Sequence, residues 1–305
     1  SKKTVTGYIC SPTTMAANTT AVTVSYSEGG VTKTTTTPVT VTSISNTLAS
    51  NSWATIRAVS DAGKGSNYWS VGDAKGITIN GKVGATTISN LAISVFILGF
   101  NHNASREGSN RIHFQIGKIN GTLVGLVDGN YSNYTSTTGA FTMNTSNTNS
   151  GGWNNSHMRK TVLGSNSTSA TSPTANTLLA ALPADLRAVM KPATKYSDNT
   201  GGGSDIASYV TSTTDLLPLL AEFEYHGAGT YANSAEQNYQ AQYDYYKAGN
   251  SKVHYKHNAT GTAARAWCRS VSSGDTGGFC LVGTDGSAGT GNASGSWALA
   301  PCFFV

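Results

Sequence analysis

The side chains able to do chemistry are few in this chain and rarely sit together. His254-Tyr255-Lys256-His257 holds the one close histidine pair. On a strand this three-residue spacing sends the two rings to opposite faces, which disfavours a shared metal and predicts a solvated polar strand. Glu222 and Glu224 fall on one face of a strand, as a glycosidase carboxylate pair can. Pairs so spaced are ordinarily solvated surface, and the expectation here is surface. Asp73, Asp205 and Asp285 stand next to or near glycines and read as turn residues. A calcium loop needs several acidic ligands close together, and Asp285 stands alone. Ser and Asp are abundant enough that composition leaves a Ser/His/Asp triad open. The chain has no G-x-S-x-G elbow and no G-x-x-x-x-G-K-[ST] phosphate loop.

Cysteine and charge narrow the classes further. Cys10, Cys268, Cys280 and Cys302 form no C-x-x-C pair, which argues against a zinc cluster. Cys280 and Cys302 are a candidate disulfide, but the preferred reading is small buried apolar residues, because disulfide scaffolds are denser in cysteine. Net charge is +5 from 20 basic and 15 acidic residues, scattered without a basic patch or groove-reading motif. Nucleic acid is therefore not an expected partner. Charged residues are only 11% of the chain, against about 25% in an ordinary soluble domain. Solubility must come from Ser, Thr, Asn and Gly, as on many secreted and virion proteins. No apolar run is long enough to span a membrane; Leu91 to Leu98 reads as a buried strand, and membrane insertion is not expected. The start has no basic-then-apolar leader, and its first residue is Ser, so the natural N-terminus is expected to lie further upstream.

The elements that position these residues follow from periodicity. Val22, Val24 and Tyr26 alternate with Thr and Ser, Glu28-Gly29-Gly30 supplies a turn, and Val39 and Val41 rebuild an apolar face: a β-hairpin. The Thr-rich run Thr34 to Thr37 favours extended structure. Trp53, Ile56 and Val59 lie at helical spacing, with Ser52 as cap and Gly63 as stop. Strands are expected over Tyr68 to Val71, over Gly76 to Ile79 with Asn80-Gly81 as a turn, and over Ala92 to Phe100. Asn144 to Gly152 and Gly164 to Asn176 read as loops. Leu178, Leu179, Leu182, Leu186 and Val189 give a helical face over Thr177 to Met190 that Pro183 bends or restarts. A third helix is expected from Ala235 to Ala248, with Tyr239, Tyr243 and Tyr246 along one side. Trp297, Leu299, Phe303 and Val305 alternate at the end. Few helices among irregular strands and long loops predict the α+β class. One domain is expected over residues 46–305, with Trp53, Trp69, Phe100, Trp267, Leu299 and Phe303 as buried anchors and the hairpin outside its core.

Two resemblances add to this reading. Val22 to Lys33 is similar to the end of a bacterial immunoglobulin-like module, which implies a partial copy over residues 1–45; a plain hairpin extension is the alternative. From Trp53 onward, several blocks resemble a domain of tail-associated proteins of phages and prophages of gut bacteria. They include Tyr68-Trp69-Ser70-Val71-Gly72-Asp73, Phe96-Ile97-Leu98-Gly99-Phe100-Asn101-His102, Arg159-Lys160, Ala193 to Asn199, Ser234 to Tyr239, and Trp267 to Val305. That family resembles the C-type-lectin-like fold of variable proteins diversified by retroelements, and some members bind host receptors at tail tips.

The resemblance implies a non-enzymatic adhesion protein on a virion tail or cell surface, without cofactor or metal. Its implied partners are a host surface protein or glycan and other tail proteins, with a homotrimer as a possible assembly. It also implies a variable region over residues 263–305. The implied fixed frame is Trp267, Arg269, Ser270, Phe279, Val282, Thr284, Asp285, Gly286, Ser287, Ala288, Ala293, Ser294, Leu299, Ala300 and Pro301. The implied ligand-contacting set is Ala266, Cys268, Val271, Ser272, Gly274, Asp275, Thr276, Gly278, Leu281, Gly283, Gly289, Thr290, Gly291, Asn292 and Gly295. Diversification at adenines does not produce Lys, Glu, Gln or Met, and none of these follows Arg269. Cys268 and Cys302 depart from what the resemblance implies at those positions, and Gly often stands where Asn or Tyr is expected. The alternatives are an oxidase resembling formylglycine-generating enzymes, which would need reactive cysteines among Cys268, Cys280 and Cys302, and a purely structural tail or adhesin segment.

Overall fold

Alternation at the start becomes a ribbon in which β1 (Asn18–Glu28) pairs antiparallel with β2 (Val31–Val41). The chain reverses at Gly29 and Gly30, both at positive φ, a conformation glycine adopts without steric cost. The computed structural model describes residues 18–41, 43–132 and 141–305. Cys10 and the faces expected for Val22, Val24, Tyr26, Val39 and Val41 lie outside the described residues and side chains.

The remainder is α+β. A seven-stranded sheet contains β3 (Ala74–Val83), β4 (Thr86–Phe100), β5 (Ile112–Ile119) and β6 (Thr122–Gly125). β7 (Ala193–Asp198) and β8 (Val210–Asp215) form a separate ribbon. β9 (His254–Lys256) joins the large sheet parallel to β6 and carries β10 (Ala259–Ala264) outside it. β11 (Ala266–Val271), β12 (Gly278–Val282) and β13 (Ala288–Asn292) form a three-stranded antiparallel sheet. β14 (Cys302–Phe304) returns to pair with β5, putting Phe303 opposite Phe114 with their rings stacked at 5.2 Å.

Several expected elements form where the pattern placed them. The helix Trp53–Asp61 is capped by Ser52, which accepts the Thr55 N–H at 3.1 Å, and buries Trp53, Ile56 and Val59. Pro183 splits the next helical stretch into Leu178–Ala181 and Ala184–Arg187, because its ring cannot continue a helix. Trp53, Trp69, Trp267, Leu299 and Phe303 are buried, and Phe100 is half-buried against the core.

Others differ, and tertiary packing is the reason each time. Asn80-Gly81 is no turn. β3 runs on through a bulge there so that Ile79 and Val83 both reach the core, and the reversal falls at Gly84. Tyr68 to Val71 is not a strand but the end of the helical turn Gly65–Tyr68 and the bend after it. From there the Trp69 indole donates to the Ser45 carbonyl at 3.0 Å. The expected helix over Ala235 to Ala248 breaks into a 3-10 turn, Ser234–Asn238, and the helix Asp244–Lys247. Between them the Tyr243 N–H donates to the Glu224 carbonyl at 3.1 Å and its ring stacks on His102 at 3.8 Å, contacts a continuous helix would forfeit. His254 is buried on β9, and half-buried His257 accepts the Val127 N–H on Nδ1 at 3.0 Å, so this strand is not a solvated one.

Candidate functional site

Every residue of β11 and β12 is buried, because this sheet divides two apolar clusters. Trp267, Val271, Phe279 and Leu281 belong to one, and Cys268, Cys280 and Val282 to the other. Strands covered on both faces read as continuous apolar runs, as β12 does, while β11 is interrupted by Arg269 and Ser270. The expected contact residues Ala266, Cys268, Val271, Ser272, Gly278, Leu281 and Gly295 are therefore buried and present nothing to a partner. Gly274, Asp275, Thr276 and Asn292 are exposed; Gly283, Gly289, Thr290 and Gly291 are half-buried.

The residues of β13 divide by face, with Gly289 and Gly291 on the inner one. A Cβ on Gly291 would come within 2.8 Å of Leu281, 2.9 Å of the Trp297 indole nitrogen and 3.3 Å of Trp267, and one on Gly289 within 3.2 Å of Leu281. These two positions close the core beneath β13. Ala288, Thr290 and Asn292 occupy the other face of the strand.

Pairing between β11 and β12 slips at the centre. Trp267 pairs with Leu281 and Val271 with Phe279, so Cys268, Arg269 and Ser270 stand against Cys280 alone. The bulge turns Arg269 and Ser270 out of the ladder and into a buried ionic network. Arg269 grips Glu224 through two bonds, Nη1 to Oε2 at 2.5 Å and Nη2 to Oε1 at 2.8 Å, and its Nε donates to Ser197 Oγ at 2.9 Å. Lys195 Nζ, from β7, donates to Glu224 at 2.9 Å, to Glu107 at 2.5 Å and to the Tyr243 hydroxyl at 3.0 Å. The Ser270 hydroxyl donates to Glu236 at 2.6 Å. The ligand atoms of His102, Glu107 and Glu224 lie within 4.8 Å of one another, the spacing of a metal site. The Lys195 ammonium bonds both carboxylates, so this cluster carries its own cation.

Burial dominates the ionisation of these groups. It opposes charge on Glu224, yet Arg269 and Lys195 hold that carboxyl well below its usual range. Burial likewise works against Lys195, and Glu107 and Glu224 keep it protonated. It lowers His102 to about 3 and His113 well below its ordinary value, so both rings are neutral near pH 7. It pushes Glu236 up to about 7. Cys268, Cys280 and Cys302 are free thiols, buried and pushed upward by that burial, Cys302 to about 12.

Glu222 and Glu224 are fully buried in the helix Glu222–His226, a correction to their expected place on a solvated strand. The Glu222 carboxylate accepts the backbone N–H groups of Thr230 (3.0 Å), Tyr231 (3.0 Å) and Ala232 (2.8 Å). It thereby pins the loop that packs on the β11–β12 connection, where the Ser273 N–H donates to the Tyr231 carbonyl at 2.8 Å. Asn149 binds the same connection from another loop, its Nδ2 reaching the carbonyls of Asp275 at 2.8 Å and Gly278 at 3.0 Å. The Asn233 amide bonds the Ile206 carbonyl at 2.9 Å and Asp198 at 3.0 Å. The segments 144–152, 199–208, 227–234 and 272–277 thus meet at one loop-lined end of the β11–β12 sheet, at the connection between the two strands. Asp285 does act in a turn, in the β12–β13 connection, accepting the Ser287 N–H, whereas Asp205 accepts the Ser234 N–H from 29 residues away and so ties two loops together rather than making a turn.

Sequence reasoning placed Arg269 and Ser270 in a fixed frame but missed Glu107, Lys195 and Glu236. A usable signal existed at Glu222 and Glu224, which sit within Leu216-Leu217-Pro218-Leu219-Leu220-Ala221 and Phe223, Tyr225. Carboxylates embedded in an apolar run of a charge-poor chain are candidates for paired burial. No family model matches this chain, and comparison with curated proteins and with solved structures gives no match.

Proposed function

We propose that this protein is a phage tail-associated adhesion protein with a C-type-lectin-like fold, which displays a ligand-contacting face to host-cell surface molecules from a virion tail or a cell surface. The observation that carries the reading is a division of labour. Buried strands locked by Arg269, Glu224 and Lys195 support loops whose exposed residues, Gly274, Asp275, Thr276 and Asn292, bear little of the core. Variation on loops held by a rigid scaffold changes recognition with little effect on the fold. Family resemblance over Trp267 to Val305 supports the same reading, with a host surface protein or glycan as ligand, other tail proteins as neighbours and a trimer as the assembly. The thiols favour adhesion over oxidase chemistry, because burial raises them where a reactive cysteine needs its thiolate stabilised.

The test pairs folding with adhesion. Thr276→Tyr and Asn292→Tyr should leave Tm within a few degrees of the parent and change which strains of a gut-bacterial panel the protein binds. Failure of parent and variants to bind any strain, or an unchanged strain profile in both variants, overturns the proposal.

A further inference from the structure

Among the described residues, the large apolar side chains left exposed are Val31 on the hairpin, and Ile206 and Tyr231, 42% and 41% exposed, at the loop-lined end. These two are held rather than loose. The Tyr231 backbone is fixed on both sides, its N–H on buried Glu222 and its carbonyl on Ser273. The Ile206 carbonyl is held by buried Asn233. A backbone fixed by buried polar partners presents its apolar side chains from a set position, so the loop has little freedom to lose on binding.

The surroundings indicate what would be contacted. The four segments at this end contain no Lys or Arg, and their charged residues are Asp205 and Asp275, both exposed. The other exposed groups around the two anchors are hydroxyls, amides and backbone, among them Asn147, Ser208, Thr230 and Thr276. Segments whose only charges are two carboxylates disfavour polyanions such as nucleic acid or acidic polysaccharide. An aromatic ring ringed by hydrogen-bonding groups suits a ligand with an apolar C–H face and many hydroxyls.

Building on the adhesion reading above, we infer that Tyr231 and Ile206, outside the expected variable stretch, are fixed anchors of the binding face and that its ligand is a neutral glycan. Tyr231 stacks on a sugar ring, Ile206 packs beside it, and Asp205 and Asp275 accept sugar hydroxyls.

The experiment uses the whole chain on an array of neutral and acidic bacterial oligosaccharides, and on bacterial cells treated with periodate or with protease. The expected result is binding to neutral glycans and loss of cell binding after periodate. Tyr231→Ala and Ile206→Ser should fold normally by thermal melt and bind roughly tenfold more weakly, equivalent to about 1.4 kcal/mol. Binding confined to acidic glycans, cell binding lost to protease but not to periodate, or undiminished binding by Tyr231→Ala overturns the inference. Those outcomes leave the adhesion reading standing, provided Thr276 and Asn292 substitutions still alter cell binding. Absence of binding to every cell and glycan overturns both.

Discussion

Replacing Glu236 with Gln tests whether the buried network is read correctly. Glu236 is 1% exposed; Oε1 accepts the Asp198 N–H at 2.9 Å, and Oε2 accepts Ser270 Oγ at 2.6 Å and Gln240 Nε2 at 2.9 Å. With Glu107 and Glu224 it makes three carboxyls against the two cations Lys195 and Arg269, so the network carries one more acid than it can neutralise. Burial raises Glu236 from 4.5 to about 7, and at about 1.4 kcal/mol per pH unit its ionised form is disfavoured in the folded state by roughly 3 kcal/mol. The folded value exceeds the unfolded one, so this contribution to stability is fully present below about pH 4.5 and is lost as pH rises to about 7. Gln reproduces the charge of the protonated form; the Ser270 hydroxyl can turn to accept from its amide, and the lost bond from Gln240 Nε2 adds an offset that does not vary with pH. Denaturant unfolding of both proteins from pH 4.5 to 8 should show the variant gaining roughly 3 kcal/mol relative to the parent across that range. The lowered histidines and other shared groups cancel in the difference. A difference that stays flat with pH, or that grows in the parent's favour, would refute the assignment.

Three further outcomes follow from the same geometry. Glu224→Ala leaves Arg269 and Lys195 buried without their shared partner and should lower unfolding free energy by about 3–5 kcal/mol, measured in urea. Gly291→Tyr should unfold the protein or lower its Tm sharply, because even a Cβ there meets Trp297 and Leu281, whereas exposed Asn292→Ala should shift stability by about 0.5 kcal/mol or less. Tm should be unmoved by EDTA, since Lys195 already neutralises the carboxylates nearest to a metal-binding arrangement; a fall of many degrees would reveal an essential ion.

Local signals were legible and long-range ones were not. Ser52, Gly63 and Pro183 act within a few residues of themselves, and the structure uses them as their chemistry predicts. The members of the expected contact set on β11 and β12 are buried because two surfaces compete for each strand. Nothing local to Cys268 or Leu281 records that apolar clusters lie on both sides of the sheet. The Glu224–Arg269 and Lys195–Glu107 pairs join residues 45 and 88 positions apart, and no spacing rule reaches that far. Tyr231 was invisible as an anchor because its meaning depends on Glu222 and Ser273 holding its backbone.

The return of β14 to the centre of the large sheet has a kinetic side. Gln115 donates to the Ala300 carbonyl across 185 residues, and Ser60 reaches the Val305 carbonyl across 245. Contacts between positions so far apart are slow to form, because the intervening chain must be ordered before they bring any gain. Until β14 docks, Phe114 and its neighbours on β5 lack the cover that Phe303 supplies, and partly folded chains with such surfaces are prone to associate. The strands β11 to β13 and the loops between them directly precede this closing strand in the sequence. Substitutions in those loops should change the yield of folded protein even where the finished molecules are equally stable.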